Sequence, residues 1–131
     1  MEERAGSAVI GAVARGDHIS IAIAGGGLRA TSVLRLLNDV DNLDVVAVYD
    51  TSRSAPAMRL AEDLGVFGTT ELDELHQLSS LDLVLDLSED TSVHAALEAQ
   101  RLGGVVVVSG AGAELVWDLL IAKKRSEEQE K

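Results

Sequence analysis

Three small residues and one acid stand at the spacing that phosphate and ribose binding requires. Gly25, Gly27 and Ala30 fit the pattern G-x-G-x-x-A, and Asp50 follows at the end of the next apolar run. Each residue type has a physical reason. Gly25 lets the chain turn sharply, and Gly27, with no Cβ, lets a pyrophosphate reach the backbone. Ala30 lets a helix lie close to a sheet. The free N–H groups of that helix would face the phosphates. A carboxylate at Asp50 would accept hydrogen bonds from a ribose diol. A scaffold whose glycines serve only packing is the competing reading.

The elements that must position these residues are legible around them. Ile19-Ser20-Ile21-Ala22-Ile23-Ala24 is a short apolar run suited to a buried strand. Gly25-Gly26-Gly27 follows. Leu28, Val33, Leu34, Leu36 and Leu37 then recur with helical period, closed by Asn38-Asp39. Val45-Val46-Ala47-Val48-Tyr49 is a second strand ending in Asp50.

The alternation continues. Pro56 suits the first turn of a helix that runs to Leu64, with Gly65 as its stop. Val66-Phe67-Gly68 reads as a third strand. Thr69 or Thr70 then caps a helix through Leu72, Leu75 and Leu78, with Asp73 completing a capping box. Leu81 to Leu87 is a fourth strand, Ser88-Glu89-Asp90 a loop, and Thr91 to Leu102 a helix. Val105 to Ser109 is a fifth strand, and its four valines predict a central place buried on both faces. A last helix starts near Ala113. Strands alternating with helices predict an α/β fold of three layers with a mainly parallel sheet, Rossmann-like in order. Its ligand crevice belongs at the C-terminal strand ends. That gathers Gly25, Gly26, Gly27, Leu28 and Arg29 with Asp50, Thr51, Ser52 and Arg53, with Ser88 to Asp90, and with Ser109 to Gly112.

Composition narrows the classes of function. Hydrophobic residues make up 47% but aromatics only 2%, so the core is aliphatic. The net charge of −11 repels nucleic acid and anionic membranes. No cysteine is present, which excludes disulfides and thiolate chemistry. His18, His76 and His94 show no ligand spacing, so no metal site is expected. No apolar stretch is long enough for a bilayer, and the acidic start argues against a signal peptide. A cytoplasmic location is the expectation.

Several residues carry two readings. Arg29 pairs with a pyrophosphate or is an ordinary solvated arginine. Asp50 favours an unphosphorylated ribose, while Arg53 keeps a 2′-phosphate open. Asp86 faces the cleft or caps the next helix, and Ser88, Glu89 and Asp90 are first of all caps of that helix. His94 is read as a helix-surface residue and Trp117 as core or dimer packing. No nucleophile–base pair or acid pair emerges.

Residues 1–17 read as a leader, 18–112 as the dinucleotide-type domain and 113–131 as a terminal helix. In that helix, Leu115, Val116, Trp117, Leu119, Leu120 and Ile121 make an apolar arc wider than one packing contact needs, which predicts a homodimer. The charged end carries Lys123–Glu127, Lys124–Glu128 and Glu127–Lys131 at i,i+4.

Two family resemblances arise from these stretches. Ile19 to Ser109, through the Ala55 to Gly65 helix, the Thr69 to Leu78 segment and the stretch SEDTSVHAALEAQRLGGVVVVS, is similar to the cofactor domain of glucose–fructose oxidoreductase-type dehydrogenases. That family implies NAD(P) binding, often a histidine near the nicotinamide side, which is where His94 falls, and a catalytic lysine in a Glu-Lys-Pro motif after the fifth strand. Here the position reads Ser109-Gly110-Ala111-Gly112, without lysine. The segments AIAGGGLRATSVLRLL, LDLVLDLSED and AGAELVWDLL resemble the Rossmann-like N-terminal domain of certain bacterial sensor histidine kinases. That second resemblance implies a non-enzymatic input domain that binds NAD(H) or a related adenine dinucleotide and passes occupancy to a downstream signalling module. The cofactor domain of an oxidoreductase and a ligand-free dimerisation module are the alternatives.

Overall fold

The computed structural model describes residues 18–78, 80–88, 90–99 and 105–130. The leader, Glu89, the end of the Thr91–Leu102 helix and Gly103-Gly104 lie outside the described residues.

Five parallel strands form one sheet in the order β3-β2-β1-β4-β5. They are β1 (Ile19–Ala24), β2 (Leu43–Tyr49), β3 (Phe67–Thr69), β4 (Leu83–Asp86) and β5 (Val106–Val108). The connections are α1 (Leu28–Asn38), α2 (Pro56–Leu64), a 3-10 helix (Leu72–Gln77) and α3 (Thr91–Ala99), and α4 (Ala111–Glu130) follows β5.

β1 lies in the middle because both of its faces are apolar. Ile19, Ile21 and Ile23 pack with α1, α2 and the start of α4. Ala22 and Ala24 face the other way, toward Leu75 of the 3-10 helix and Val93 and Leu97 of α3. The β1–β2 register shifts between Ile21 and Ala22, so that Ala22 lies opposite Ala47 rather than Val46.

The local signals explain the helices. α1 buries Ala30, Val33, Leu34 and Leu37, one stripe at i, i+3, i+4 and i+7. α2 starts at Pro56 and ends on Gly65, whose φ of 74° is left-handed. The N–H of Val66 then donates to the carbonyl of Ala61 (2.7 Å), closing the helix end.

Three sequence expectations are corrected. β5 is an edge strand, not a central one, and Val106 to Val108 are half-buried. Its valines reflect helices on both faces, while strand order is decided by the crossovers. The segment after β3 is a 3-10 helix rather than an α-helix. Leu72, Leu75 and Leu78 recur every third residue, which is the 3-10 period. There the Thr69 hydroxyl accepts the N–H of Glu71 (2.9 Å) and bonds the Glu74 carboxylate, but the N-cap is Glu71 without a side-chain cap bond, so the expected capping box does not form. Finally, α4 starts at Ala111, two residues early, because Ser109 C=O already accepts the N–H of Gly112 (3.1 Å). It continues as one helix through the charged segment to Glu130.

Candidate functional site

The glycine loop joins β1 to α1 at the C-terminal edge of the sheet. Its three glycines have different surroundings. Gly25 has φ 106°, and a Cβ there would lie 2.7 Å from the backbone nitrogen of Ser88. A Cβ on Gly26 would lie 2.7 Å from Ala55 Cβ and 2.9 Å from Asp50 Cβ. A Cβ on Gly27 would meet nothing within 4 Å. Two glycines are therefore needed for packing, and the third leaves open space at the N-terminus of α1.

Hydrogen bonds brace this loop from three sides. Gly25 N–H donates to Tyr49 C=O (2.7 Å), and Ala57 N–H of α2 donates to Gly26 C=O (2.9 Å). Asp50 Oδ1 accepts the N–H of Gly26 (2.9 Å), and Oδ2 accepts the N–H of Ser52 (2.9 Å). Each carboxylate oxygen keeps a further acceptor site, so Asp50 both anchors the loop and can accept from a diol. Ser52 Oγ pairs with Ser54 Oγ (3.0 Å), and Thr51 and Arg53 are exposed in the same turn. Tyr49, just before, has its phenol pushed above the ordinary tyrosine range, by burial first and then by the neighbouring Asp50 charge.

The first turn of α1 carries Leu28, which is 77% exposed, and Arg29. Arg29 is not simply solvated. Its guanidinium donates to Glu114 of α4 (2.6 Å) and lies 5.7 Å from the centre of the Trp117 ring. Trp117 itself packs on the core, as do Val116 and Leu120, while Leu115 and Leu119 stay 58% and 60% exposed.

On the other side of β1, a cleft of about 370 Å³ opens over the ends of β4 and β5. Arg29, Asp86, Asp90, His94, Ser109 and Glu114 are among its lining residues. Asp86 is a buried carboxylate, 7% exposed. Its Oδ1 accepts both the N–H (3.0 Å) and the hydroxyl (2.6 Å) of Ser88, and its Oδ2 lies 3.6 Å from His94 Nδ1. That nitrogen is buried without a hydrogen-bond partner. Asp90 caps α3 by accepting the N–H (2.8 Å) and hydroxyl (2.6 Å) of Ser92. Those bonds, the hydroxyl's first, hold its carboxyl below the usual range.

The crevice expected from the sequence is thus split by the glycine loop. Asp50 to Arg53 lie on the β2 side. Ser88, Asp90, Ser109 and Gly110 lie on the β4–β5 side with Arg29. Ser88 reaches the glycine loop through the close approach of the backbone at Gly25. Asp86 faces the cleft rather than capping α3, and His94 is a cleft residue rather than a plain surface one. Glu114 was missed altogether. Its partner Arg29 is 85 positions away in sequence, so no local spacing could reveal the pair. Among the described residues, no cluster of His, Asp and Glu could hold a metal ion, and no helix is long and apolar enough to cross a membrane.

No family model and no curated protein matches the chain. Solved structures do. One is GenD2 from gentamicin A biosynthesis in complex with NAD, at 22% identity, TM-score 0.59, covering 71% of this chain and 27% of that one. A myo-inositol dehydrogenase from Corynebacterium glutamicum is 23% identical, TM-score 0.55, over 70% of this chain and 28% of that one. An NAD-binding protein from Listeria innocua is 21% identical, TM-score 0.54, over 82% of this chain and 33% of that one. The chain therefore spans about a quarter to a third of the proteins it resembles. None of these three is a histidine kinase, and the sensor-kinase resemblance draws no support from them. At these identities the likeness establishes the fold, a Rossmann-like α/β domain with an all-parallel sheet.

Proposed function

We propose that this chain is the NAD(H)-binding domain of an oxidoreductase of the dehydrogenase type. The single observation that carries the reading is the asymmetry of the glycine loop. Gly25 and Gly26 are packed shut, whereas Gly27 is open at a helix N-terminus. A scaffold that used its glycines only for packing would have no need of the third. The open backbone face and the N–H groups of the first turn of α1 fit a pyrophosphate. Asp50, beside it, fits a ribose diol and disfavours a 2′-phosphate by charge repulsion, which favours NAD over NADP. The three similar structures, a dehydrogenase, a protein in complex with NAD and an NAD-binding protein, support the same reading. When bound, the dinucleotide would supply or accept a hydride. This chain's own residues would bind and orient it, and the cleft lining contains no lysine. Thermal shift against NAD+, NADH and NADP+ tests the reading. NAD+ or NADH should raise the melting temperature and NADP+ should raise it less. No shift with any of the three overturns it.

A second reading rests on the link from Arg29 to Glu114 and Trp117. In it, a pyrophosphate competes with Glu114 for Arg29, and α4 reports occupancy to a signalling module. The exposed Leu115 and Leu119 then serve a homodimer. Light scattering that finds a monomer at high concentration would sink the dimer.

A further inference from the structure

The cleft over β4 and β5 is charged in a way that dinucleotide binding alone does not require. Its lining holds three carboxylates, Asp86, Asp90 and Glu114, against one guanidinium, Arg29. Arg29 is already bonded to Glu114. Asp86, by contrast, sits at the last position of a buried strand. Its Oδ1 is held by Ser88, while its Oδ2 lies 3.6 Å from His94 Nδ1. A buried carboxylate in that position attracts positive charge more strongly than an exposed one, because less water screens it.

The sheet order says what would lie there. Strand order reverses between β1 and β4, and a dinucleotide spans the crevice at that reversal. With one ribose at Asp50 on the β2 side, the other half of the ligand runs over β4 and β5. In NAD that half is the nicotinamide. Its ring carries a positive charge in NAD+ and none in NADH.

We infer that Asp86 is a specificity residue for redox state, making the domain bind NAD+ in preference to NADH. This rests on the dinucleotide reading above. Asp86 supplies the fixed negative charge, Ser88 holds its carboxylate in place, and Asp90 adds a weaker, solvated contribution. His94, whose Nδ1 lies 3.6 Å from Asp86 Oδ2 without a hydrogen-bond partner, is neighbour to that charge and not its source.

The test is isothermal titration of the full chain with NAD+, NADH and ADP-ribose, for the parent, Asp86→Asn and Asp90→Asn. The parent should bind NAD+ about tenfold more tightly than NADH. Asp86→Asn should cut that ratio to about twofold or less. Asp90→Asn keeps a capping side chain, so it folds even where Asp86→Asn does not, and it should lower the ratio by a smaller factor. Equal affinities for NAD+ and NADH in the parent overturn the inference, as does a ratio that folded Asp86→Asn leaves unchanged or that Asp90→Asn lowers more than Asp86→Asn does. ADP-ribose binding alongside such equality leaves the dinucleotide site standing. Failure of all three ligands to bind overturns both.

Discussion

The two sides of the crevice are built on different principles. On the β2 side, the loop is held by the protein's own hydrogen bonds. Gly26 N–H, Gly26 C=O and Gly25 N–H are all bonded within the protein, and Asp50 is fixed by two backbone donors. On the β4–β5 side, charged side chains face an open cleft, and His94 Nδ1 is buried without a hydrogen-bond partner. The difference teaches that the glycine loop is a backbone structure, specified by where side chains are absent. The opposite wall is a side-chain structure, specified by which charges are present.

The sharpest way to break the braced side is to add one methyl group. Gly25→Ala forces a left-handed φ on a residue with a Cβ and drives that Cβ into the backbone at Ser88. It should cost about 2–4 kcal/mol of stability, a fall of roughly 10 °C in Tm. The same change at Gly27 should leave Tm unaltered, since nothing lies within 4 Å. Equal losses at the two positions would refute the division of labour among the glycines.

Asp50→Ala tests the same side at lower cost. It removes the acceptor of Gly26 and Ser52 and the partner proposed for the ribose. Calorimetric affinity for NAD should fall by about 1.5–3 kcal/mol, the usual value of a charged hydrogen bond. Unchanged affinity would show that Asp50 only anchors the loop.

How much of this contrast was legible in the sequence follows from its physical basis. The motif Gly25-x-Gly27-x-x-Ala30 and the acid at Asp50 are local patterns, and their elements fall where periodicity puts them. The stripe Ala30, Val33, Leu34 and Leu37 is another such pattern. Long-range facts were not legible. Four consecutive valines say that β5 is covered on both faces, but not that it is an edge. The role of Gly26 depends on Ala55 and Asp50, which only the fold brings beside it. Arg29 finds Glu114, and Asp86 finds His94, only when helices and strand ends converge. The leucines at 72, 75 and 78 did carry their signal, a period of three, which a helix-period reading overlooks.

The open side should respond more gently. Arg29→Ala removes an exposed ion pair and a contact over Trp117, and exposed pairs contribute about 0–1 kcal/mol. Its Tm should barely move, whereas a large fall would mean that the pair holds α4 to the domain. The smallest effect concerns pH. The folded-state pKa of Asp90 is lowered, so its capping contribution is present above the unfolded value of 3.8 and is lost as pH falls through the lower folded value. The parent should therefore exceed Asp90→Asn in Tm at neutral pH and lose that advantage in acid. A difference that persists in acid would mean the cap does not act through its charge.

The most direct measurement of the central claim is a calorimetric titration of NAD+ into the parent and into Gly27→Val. The account predicts saturable binding to the parent and none to the variant, with both proteins melting at the same temperature. A Gly27→Val protein that binds NAD+ as the parent does would contradict it, because the ligand would then lie away from the glycine loop.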